Sequence, residues 1–231
     1  MELFVYDPVT YTRLRIIHLD GLSGPRDIAA CQQMKCLFLV VNSSLASIDR
    51  KGKLLKQWEV PYDPHNISVT SSGNILLTCN ARILIYSSDG NIIQDLGLDA
   101  NACNLSWQTL LLNSGDYLQC QGWLSSDHHR VLTLSREGTI LKSFGSERQQ
   151  NSNSHLSDPV NMAMDKDKLI FVADSGNSRV VLLSPGLVYL RELLGEKDEV
   201  FEPYRVLLDE ASGFLYVGTN DSQLLVFSVF K

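Results

Sequence analysis

The chain has 231 residues, with 26 acidic and 20 basic side chains and a formal net charge of −6. This balance provides no broad positive field for collecting phosphates, and the basic residues form no run, so nucleic acid is an unfavourable partner. The hydrophobic share of 44% and the charged share of 20% are typical of a globular protein. We therefore predict one globular domain over residues 1–231.

The N-terminal segment and the cysteines bear on the cellular compartment. Residues 1–8 lack a basic n-region, and Asp7 and Pro8 interrupt the apolar stretch too early for a signal sequence. The longest apolar run, Cys36–Val41, is far shorter than the roughly 20 residues that span a bilayer. The five cysteines have no CxxC spacing, which favours buried, reduced thiols. We predict a cytoplasmic protein without a membrane segment.

Short strand-like runs follow one another along the whole chain. After an N-terminal pair, Glu2–Tyr6 and Leu14–Leu19, they are Leu37–Val41, Ile75–Thr78, Ile83–Tyr86, Leu169–Val172, Val180–Leu183, Phe214–Val217 and Leu224–Val229. Each is rich in β-branched, leucine or aromatic residues, and most are bounded by turn residues. Glycines that suit hairpin turns lie between several of these runs, at positions 52, 90, 138 and 186. Because the best helix candidate, 187–194, falls where an outer strand is expected, we predict almost no helix.

A repeated segment sets the period of these strands. A proline followed by two mostly polar residues and an apolar one opens four copies: Pro25–Ile28, Pro64–Ile67, Pro159–Met162 and Pro203–Val206. A degenerate copy, Ala102–Leu105, fills the gap between the second and the third. The successive steps are 39, 38, 57 and 44 residues, close to the length of a four-stranded propeller blade except where one insertion occurs.

Four strands per period predict an all-β β-propeller, because a single four-stranded sheet gains its core by stacking on its neighbours. The repeated segment marks five first strands, whereas the N-terminal pair resembles the outer half of a blade and the last blade stops after its third strand. One solution is a five-bladed ring that uses the N-terminal segment as the missing outer strand. The other is a six-bladed ring with an incomplete first blade, which we favour slightly.

The segment Leu156–Leu183 carries the family resemblance. Its sequence, LSDPVNMAMDKDKLIFVADSGNSRVVLL, resembles a nearly complete NHL repeat, with the proline, an apolar first strand, an acidic turn and then Val-Ala-Asp-x-x-Asn-x-Arg-Val. The Asp174, Asn177 and Arg179 positions have partial echoes at Asn42, Asn80 and Asn220. The resemblance implies a propeller, usually of six blades, that often serves as the recognition end of a larger chain.

Blade symmetry predicts a ring of polar residues at the top face, which we define as the end of the blades where the first strands begin. The ring contains the residue two positions after the start of each repeated segment: Asp27, Asn66, Asn104, Asn161 and Arg205. Their oxygens suit a hard cation such as Ca²⁺, as in six-bladed lactonases of related fold. The alternative is that these side chains cap turns by bonding their own backbone. We predict no cofactor, with Ca²⁺ as the alternative.

Two longer connections are also predicted at the top face. The first, residues 121–130, carries Trp123 beside His128 and His129, and the second is the polar segment Gly145–Asp158. Loops on a rigid scaffold are common places for binding residues. The sequence contains no GxSxG, P-loop or GxGxxG motif. We therefore predict a non-enzymatic binding or scaffold module that presents its top face to a protein, with a calcium-dependent lactonase-like hydrolase and RNA binding as alternatives.

Overall fold

A computed structural model describes residues 2–7, 9–99, 106–122, 128–145 and 155–229. These residues form twenty-one β-strands and two single-turn 3-10 helices, Ser175–Asn177 and Glu196–Asp198. The prediction of almost no helix is confirmed for this part of the chain. Contacts divide the chain into two compact units, Met1–Gly97 and Leu98–Lys231. The single-domain assignment stays a prediction.

The first unit contains a hairpin and two four-stranded sheets. The hairpin pairs β1 (Glu2–Tyr6) with β2 (Arg13–His18) and is a two-stranded sheet by itself. The first blade is an antiparallel meander of β3 (Pro25–Cys31), β4 (Cys36–Val41), β5 (Ser44–Asp49) and β6 (Leu54–Glu59). The second blade repeats this order with β7 (Pro64–Val69), β8 (Ile75–Cys79), β9 (Arg82–Tyr86) and β10 (Ile92–Gly97).

The second unit continues the repeat with three further blades. The third blade is β11 (Ser106–Leu111), β12 (Tyr117–Gln121), β13 (Arg130–Leu134) and β14 (Ile140–Phe144). The fourth is β15 (Pro159–Met164), β16 (Ile170–Asp174), β17 (Arg179–Leu183) and β18 (Tyr189–Leu194). The fifth has three strands, β19 (Pro203–Asp209), β20 (Phe214–Thr219) and β21 (Leu224–Ser228).

The fold is an all-β β-propeller with five blades, four of them four-stranded in the described residues. The preference for six blades is wrong. The physical reason is that β1 and β2 pair only with each other within their sheet, so the N-terminal segment contributes a hairpin and not a blade with a first strand of its own. This hairpin packs through Leu3, Val5 and Ile17 against the first blade.

Successive blades bury their apolar side chains against one another. In the first unit, Phe38 and Leu45 of the first blade share a cluster with Ile75 and Leu84 of the second. The same stacking joins the third and fourth blades, and then the fourth and fifth, in the second unit. The middle strands are therefore apolar on both faces, as the near-continuous hydrophobic runs of the sequence indicate.

The turns between third and fourth strands show where glycine is required. Gly52, Gly90 and Gly138 adopt φ values of 91°, 83° and 86°, as predicted for these hairpins. In the fourth blade the left-handed residue is instead Leu187, at φ 61°, one position after Gly186. The expectation for Gly186 is therefore wrong, because the turn that begins at Ser184 closes with the bond from Leu187 N to Ser184 O.

The cysteines in the described residues are buried free thiols, namely Cys31, Cys36, Cys79 and Cys120. Cys31 and Cys36 are directly paired across the turn between β3 and β4. Burial raises the pKa of Cys79 and of Cys120 to about 12, so these thiols stay protonated at neutral pH. Cys103 lies outside the described residues.

Candidate functional site

The register of each blade identifies the residues that are equivalent at the top face. In every blade a bulge follows the first residue of the first strand, and the residue after the bulge pairs with the second strand. The equivalent residues, which we call the clasp positions, are Asp27, Asn66, Gln108, Asn161 and Arg205. Four of these five were predicted from the sequence. The third blade contributes Gln108, whereas Asn104 lies outside the described residues.

Three clasp positions accept hydrogen bonds from the first strand of the next blade. Asp27 Oδ2 accepts a bond from Ile67 N at 2.9 Å and another from the Asn66 side-chain amide. Gln108 Oε1 accepts a bond from Met162 N at 2.5 Å, and Asn161 Oδ1 accepts one from Val206 N at 2.8 Å. The donor in each case lies on the first strand of the next blade. Because that strand is the edge of its sheet, its amide needs a partner outside the sheet.

These bonds give the clasp positions a role that neither sequence hypothesis contained. The side-chain oxygens of Asp27, Gln108 and Asn161 hold adjacent first strands together. No group of three or more histidine, cysteine, aspartate or glutamate side chains in the described ranges is arranged to hold a metal ion. The prediction of no cofactor and the alternative of calcium both stay untested.

We expect millimolar Ca²⁺ to leave the melting temperature unchanged. A cation at Asp27 or Asn161 would have to displace backbone amides that these oxygens already bind, and at Asn161 the positive charge of Arg205, which precedes Val206, would also oppose it. Thermal melting in Ca²⁺, with Mg²⁺ at equal ionic strength as the control, measures this. A rise of several degrees specific to Ca²⁺ would establish a calcium site instead.

A cluster of aromatic and basic side chains lies beside the clasp positions in the second unit. Trp107 of β11 and Tyr204 of β19 meet edge to face with ring centroids 5.9 Å apart. The guanidinium of Arg205 lies 4.8 Å from the centre of the Tyr204 ring. All three side chains are partly exposed. We call these three residues the aromatic cluster.

The aromatic cluster is fixed in place by its surroundings. The indole N–H of Trp107 donates to the carbonyl oxygen of Gly122 at the end of the second strand of the same blade. The Trp107 and Tyr204 side chains also pack against the core cluster formed by the fourth and fifth blades. Both side chains are thus partly buried, and the exposed part of each stays accessible to a ligand.

The predicted top-face loops are only partly described. Trp123 lies outside the described residues, as do residues 146–154 of the second loop. His128 and His129 are partly exposed ahead of β13. His129 Nδ1 accepts a hydrogen bond of 2.6 Å from Asp158 N, so this histidine joins the two connections. Burial raises the pKa of the Asp158 carboxyl, and the nearby His129 opposes that shift.

The motif that carries the family resemblance forms a buried network. Asp174 is fully buried, and its carboxylate accepts bonds from Ser157 N, Asn177 Nδ2 and Arg179 Nε at 2.7, 2.8 and 2.7 Å. Asn177 and Arg179 both also donate to the carbonyl oxygen of His155. Burial raises the pKa of Asp174, and the three donors oppose that rise. The network ties the turn before β17 to the segment that leads into β15.

Comparisons with known proteins establish the fold and leave the family open. No family model matches the sequence, and no curated protein matches it. Solved structures do match. A protein of unknown function from Bacteroides caccae shares 15% identity over 99% of this chain and 86% of its own, with a TM-score of 0.77.

Two further similar structures have named functions or assemblies. A chain of a nidogen/laminin complex has a TM-score of 0.74 at 16% identity, covering 99% of this chain and 85% of its own. A virginiamycin B lyase from Staphylococcus aureus has a TM-score of 0.62 at 13% identity, covering 92% and 72%. Identities this low show the fold alone. The chain is a β-propeller, a fold that serves both a protein complex and a lyase among these neighbours.

Proposed function

We propose that the chain is a non-enzymatic binding or scaffold module that presents the top face of its propeller to a protein partner. The aromatic cluster is the observation that carries this proposal. Tryptophan, tyrosine and arginine are the residues most enriched among those that dominate protein–protein binding energies. Here all three lie together at the start of the first strands and are half-buried, and the core holds the two rings.

Preorganisation supports the same conclusion. The bond from Trp107 to Gly122 and the packing of both rings fix their orientations before any ligand arrives. Binding to such rings loses little side-chain entropy, and this improves affinity for a given contact area. Phe201, which is 51% exposed two residues before β19, adds an apolar side chain at the same end of the fifth blade.

The described ends of the two predicted loops belong to the same proposed surface. The bond between His129 and Asp158 brings the end of one loop against the end of the other. We propose that His128 and His129 contact the partner, and that Trp123, which lies outside the described residues, does so as well. The similarity to a chain from a nidogen/laminin complex is consistent with a protein-binding propeller, although it shows the fold alone.

The family and the compartment are part of the proposal. The Asp174 network gives a structural role to the residues that resemble an NHL repeat, which supports membership of that family. A cytoplasmic location stays a prediction. Within the residues that the structure describes, no helix has the length and apolarity that crossing a bilayer requires. The hydrolase and RNA-binding alternatives gain no support from the contacts at the top face.

Paired arginine variants test the proposal. We expect Arg205→Ala to weaken partner binding by about tenfold, because arginine stacked on an aromatic ring is a common dominant contact. Arg191→Ala, on the exposed outer strand β18, is the matched control and should bind normally. Partners captured with the wild-type chain are identified, and their affinities for each variant are measured by calorimetry.

The outcomes of the arginine experiment decide whether the top face is the binding surface. Loss of affinity in Arg205→Ala with an unchanged melting temperature supports the top face as the binding surface. Equal affinity of wild type and Arg205→Ala, or selective loss in Arg191→Ala, would show that partners bind elsewhere on the chain.

A further inference from the structure

Two cysteines face each other at the end of the β3–β4 hairpin of the first blade. Cys31 is the last residue of β3, Cys36 is the first residue of β4, and the strand register pairs them directly. Residues that are directly opposed in an antiparallel pair point to the same face of the sheet. Both cysteines belong to the core cluster between the first and second blades. The two thiols therefore lie side by side on the face that packs against the second blade.

The antiparallel pairing brings the two side chains close enough for a covalent bond. Opposed Cα atoms in such a ladder lie about 4.5 or 5.5 Å apart, and a disulfide accepts Cα separations of about 4.4–6.8 Å. Opposed Cβ atoms lie about 4.5–5.5 Å apart, next to the range of about 3.5–4.5 Å in a disulfide. Burial raises the pKa of Cys36, and the proximity of Cys31 raises it further. A small adjustment at the end of the ladder is therefore enough to join the sulfurs.

The turn between the cysteines provides access to them. Residues 32–35 are all exposed, whereas Cys31 and Cys36 beneath them are 2% and 3% exposed. The Gln33 side chain donates a bond of 2.6 Å to the carbonyl oxygen of Ser71, which lies in the turn between β7 and β8 of the second blade. Local opening of a surface turn costs less free energy than global unfolding. Such an opening brings both thiols into contact with solvent.

The two other described cysteines serve as internal references. Cys79 is the last residue of β8 and Cys120 lies within β12, and the register pairs neither of them with another cysteine. Both are 0% exposed. Burial raises the pKa of each thiol to about 12, so very little of the reactive thiolate is present at neutral pH. A reagent that oxidises paired thiols should therefore leave these two unchanged.

We propose that Cys31 and Cys36 form a reversible modification site, which a low-molecular-weight disulfide such as glutathione disulfide converts into an intramolecular disulfide. One cysteine loses its proton to solvent, and its thiolate attacks a sulfur of glutathione disulfide. A mixed disulfide forms as one glutathione thiolate leaves. The thiolate of the second cysteine then attacks the protein sulfur of the mixed disulfide, and the second glutathione leaves.

The exchange balances without any further reagent. Two electrons pass from the protein thiols to glutathione disulfide, and the two glutathione thiolates that leave take up protons. An excess of reduced glutathione reverses both steps. Disulfides of this transient kind are the ones that cytosolic proteins use for redox sensing, which is compatible with the predicted cytoplasmic location. The site does not rest on the proposed function of the top face.

Closure of the disulfide is expected to stabilise the first blade. The folded chain already holds the two cysteines opposite each other, whereas the unfolded chain loses conformational entropy when it closes the loop. The equilibrium constant for disulfide formation with glutathione should therefore be about tenfold or more larger for the folded chain than in urea. By linkage, the oxidised chain should melt at a higher temperature than the reduced chain.

Peptide mapping of the wild type tests the site. The folded chain is equilibrated with reduced glutathione and glutathione disulfide and quenched with acid, and the remaining thiols are alkylated in denaturant. Trypsin cleaves after Lys35, so Cys31 and Cys36 fall in separate peptides, residues 27–35 and 36–50. We expect mass spectrometry to find these two peptides joined, with the mass of their sum less two hydrogen atoms. The peptides that carry Cys79 and Cys120 should be fully alkylated.

Matched cysteine variants and melting curves complete the test. Cys36→Ala should abolish the linked peptides and the rise in melting temperature on oxidation, whereas Cys79→Ala should retain both. The proposal is wrong if the folded wild type yields no linked peptides, or if glutathione stays attached to Cys31 or Cys36 instead of leaving. An oxidised wild type that melts below the reduced form would also overturn it, because the native register would then oppose the disulfide.

Discussion

Asp174→Ala is expected to lower the free energy of unfolding by about 3–5 kcal/mol, the usual cost of removing one partner from a buried ion pair. Asp174 is fully buried and accepts bonds from a backbone amide, an amide side chain and the guanidinium of Arg179. Without the carboxylate, Arg179 and the amide of Ser157 lose their buried acceptor. Urea unfolding followed by tryptophan fluorescence measures the change.

Two further variants make the Asp174 result specific. Asp174→Asn keeps an acceptor oxygen without the charge. Its free energy of unfolding should therefore lie between those of Asp174→Ala and the wild type. Asp89→Ala changes an exposed turn residue, so its free energy of unfolding should stay within about 0.5 kcal/mol of the wild-type value. If the free energy of unfolding of Asp174→Ala lay within about 1 kcal/mol of the wild-type value, the network would not be stabilising the fourth blade.

Gly90→Ala is expected to destabilise the protein by about 2–5 kcal/mol. Gly90 has φ +83°, and a Cβ there would lie 1.5 Å from Nε1 of Trp58 on the neighbouring blade. The left-handed backbone costs a residue with a side chain about 1–2 kcal/mol, and moving a packed indole adds about 1–3 kcal/mol. Denaturant unfolding at 25 °C gives the difference.

Gly186→Ala is the matched control for Gly90→Ala. Gly186 lies in the corresponding turn of the fourth blade, but its φ is not positive and the nearest atom to an added Cβ is Ser184 Oγ at 3.7 Å. We expect this variant to be neutral or more stable by up to about 1 kcal/mol, because alanine restricts the unfolded chain. Equal destabilisation by the two variants would contradict the turn geometry described for both.

The repeat was predictable from sequence because turns and first strands use residues with strong local preferences. Prolines mark the first strands of four blades, and the glycines at positions 52, 90 and 138 mark turns with positive φ. The third blade begins instead with Ser106, so its start was misplaced. Counting nine residues back from the turn glycine would have found it, since Gly73 follows Pro64, and Gly115 follows Ser106, by the same distance.

The candidate site was predictable only in part, because it depends on packing between blades. Asp27, Asn66, Asn161 and Arg205 followed from the period, but their bonds to the next blade did not. Trp107 and Tyr204 lie 97 positions apart in the sequence, and their contact arises from stacking of the third, fourth and fifth blades. The weaker copies of the Asp174–Arg179 motif were also aligned wrongly from the sequence. The register makes Arg82 and Arg130 the equivalents of Arg179, whereas the sequence suggested echoes in asparagines.

Site-specific photocrosslinking tests the protein-binding face most directly. A photoreactive phenylalanine analogue replaces Phe201 at the top face in one variant and Leu141 on the outer strand β14 in another; the two positions are 51% and 53% exposed. We expect covalent adducts of a partner from position 201 and none from position 141. Equal adducts from both positions, or adducts from position 141 alone, would contradict binding at the top face.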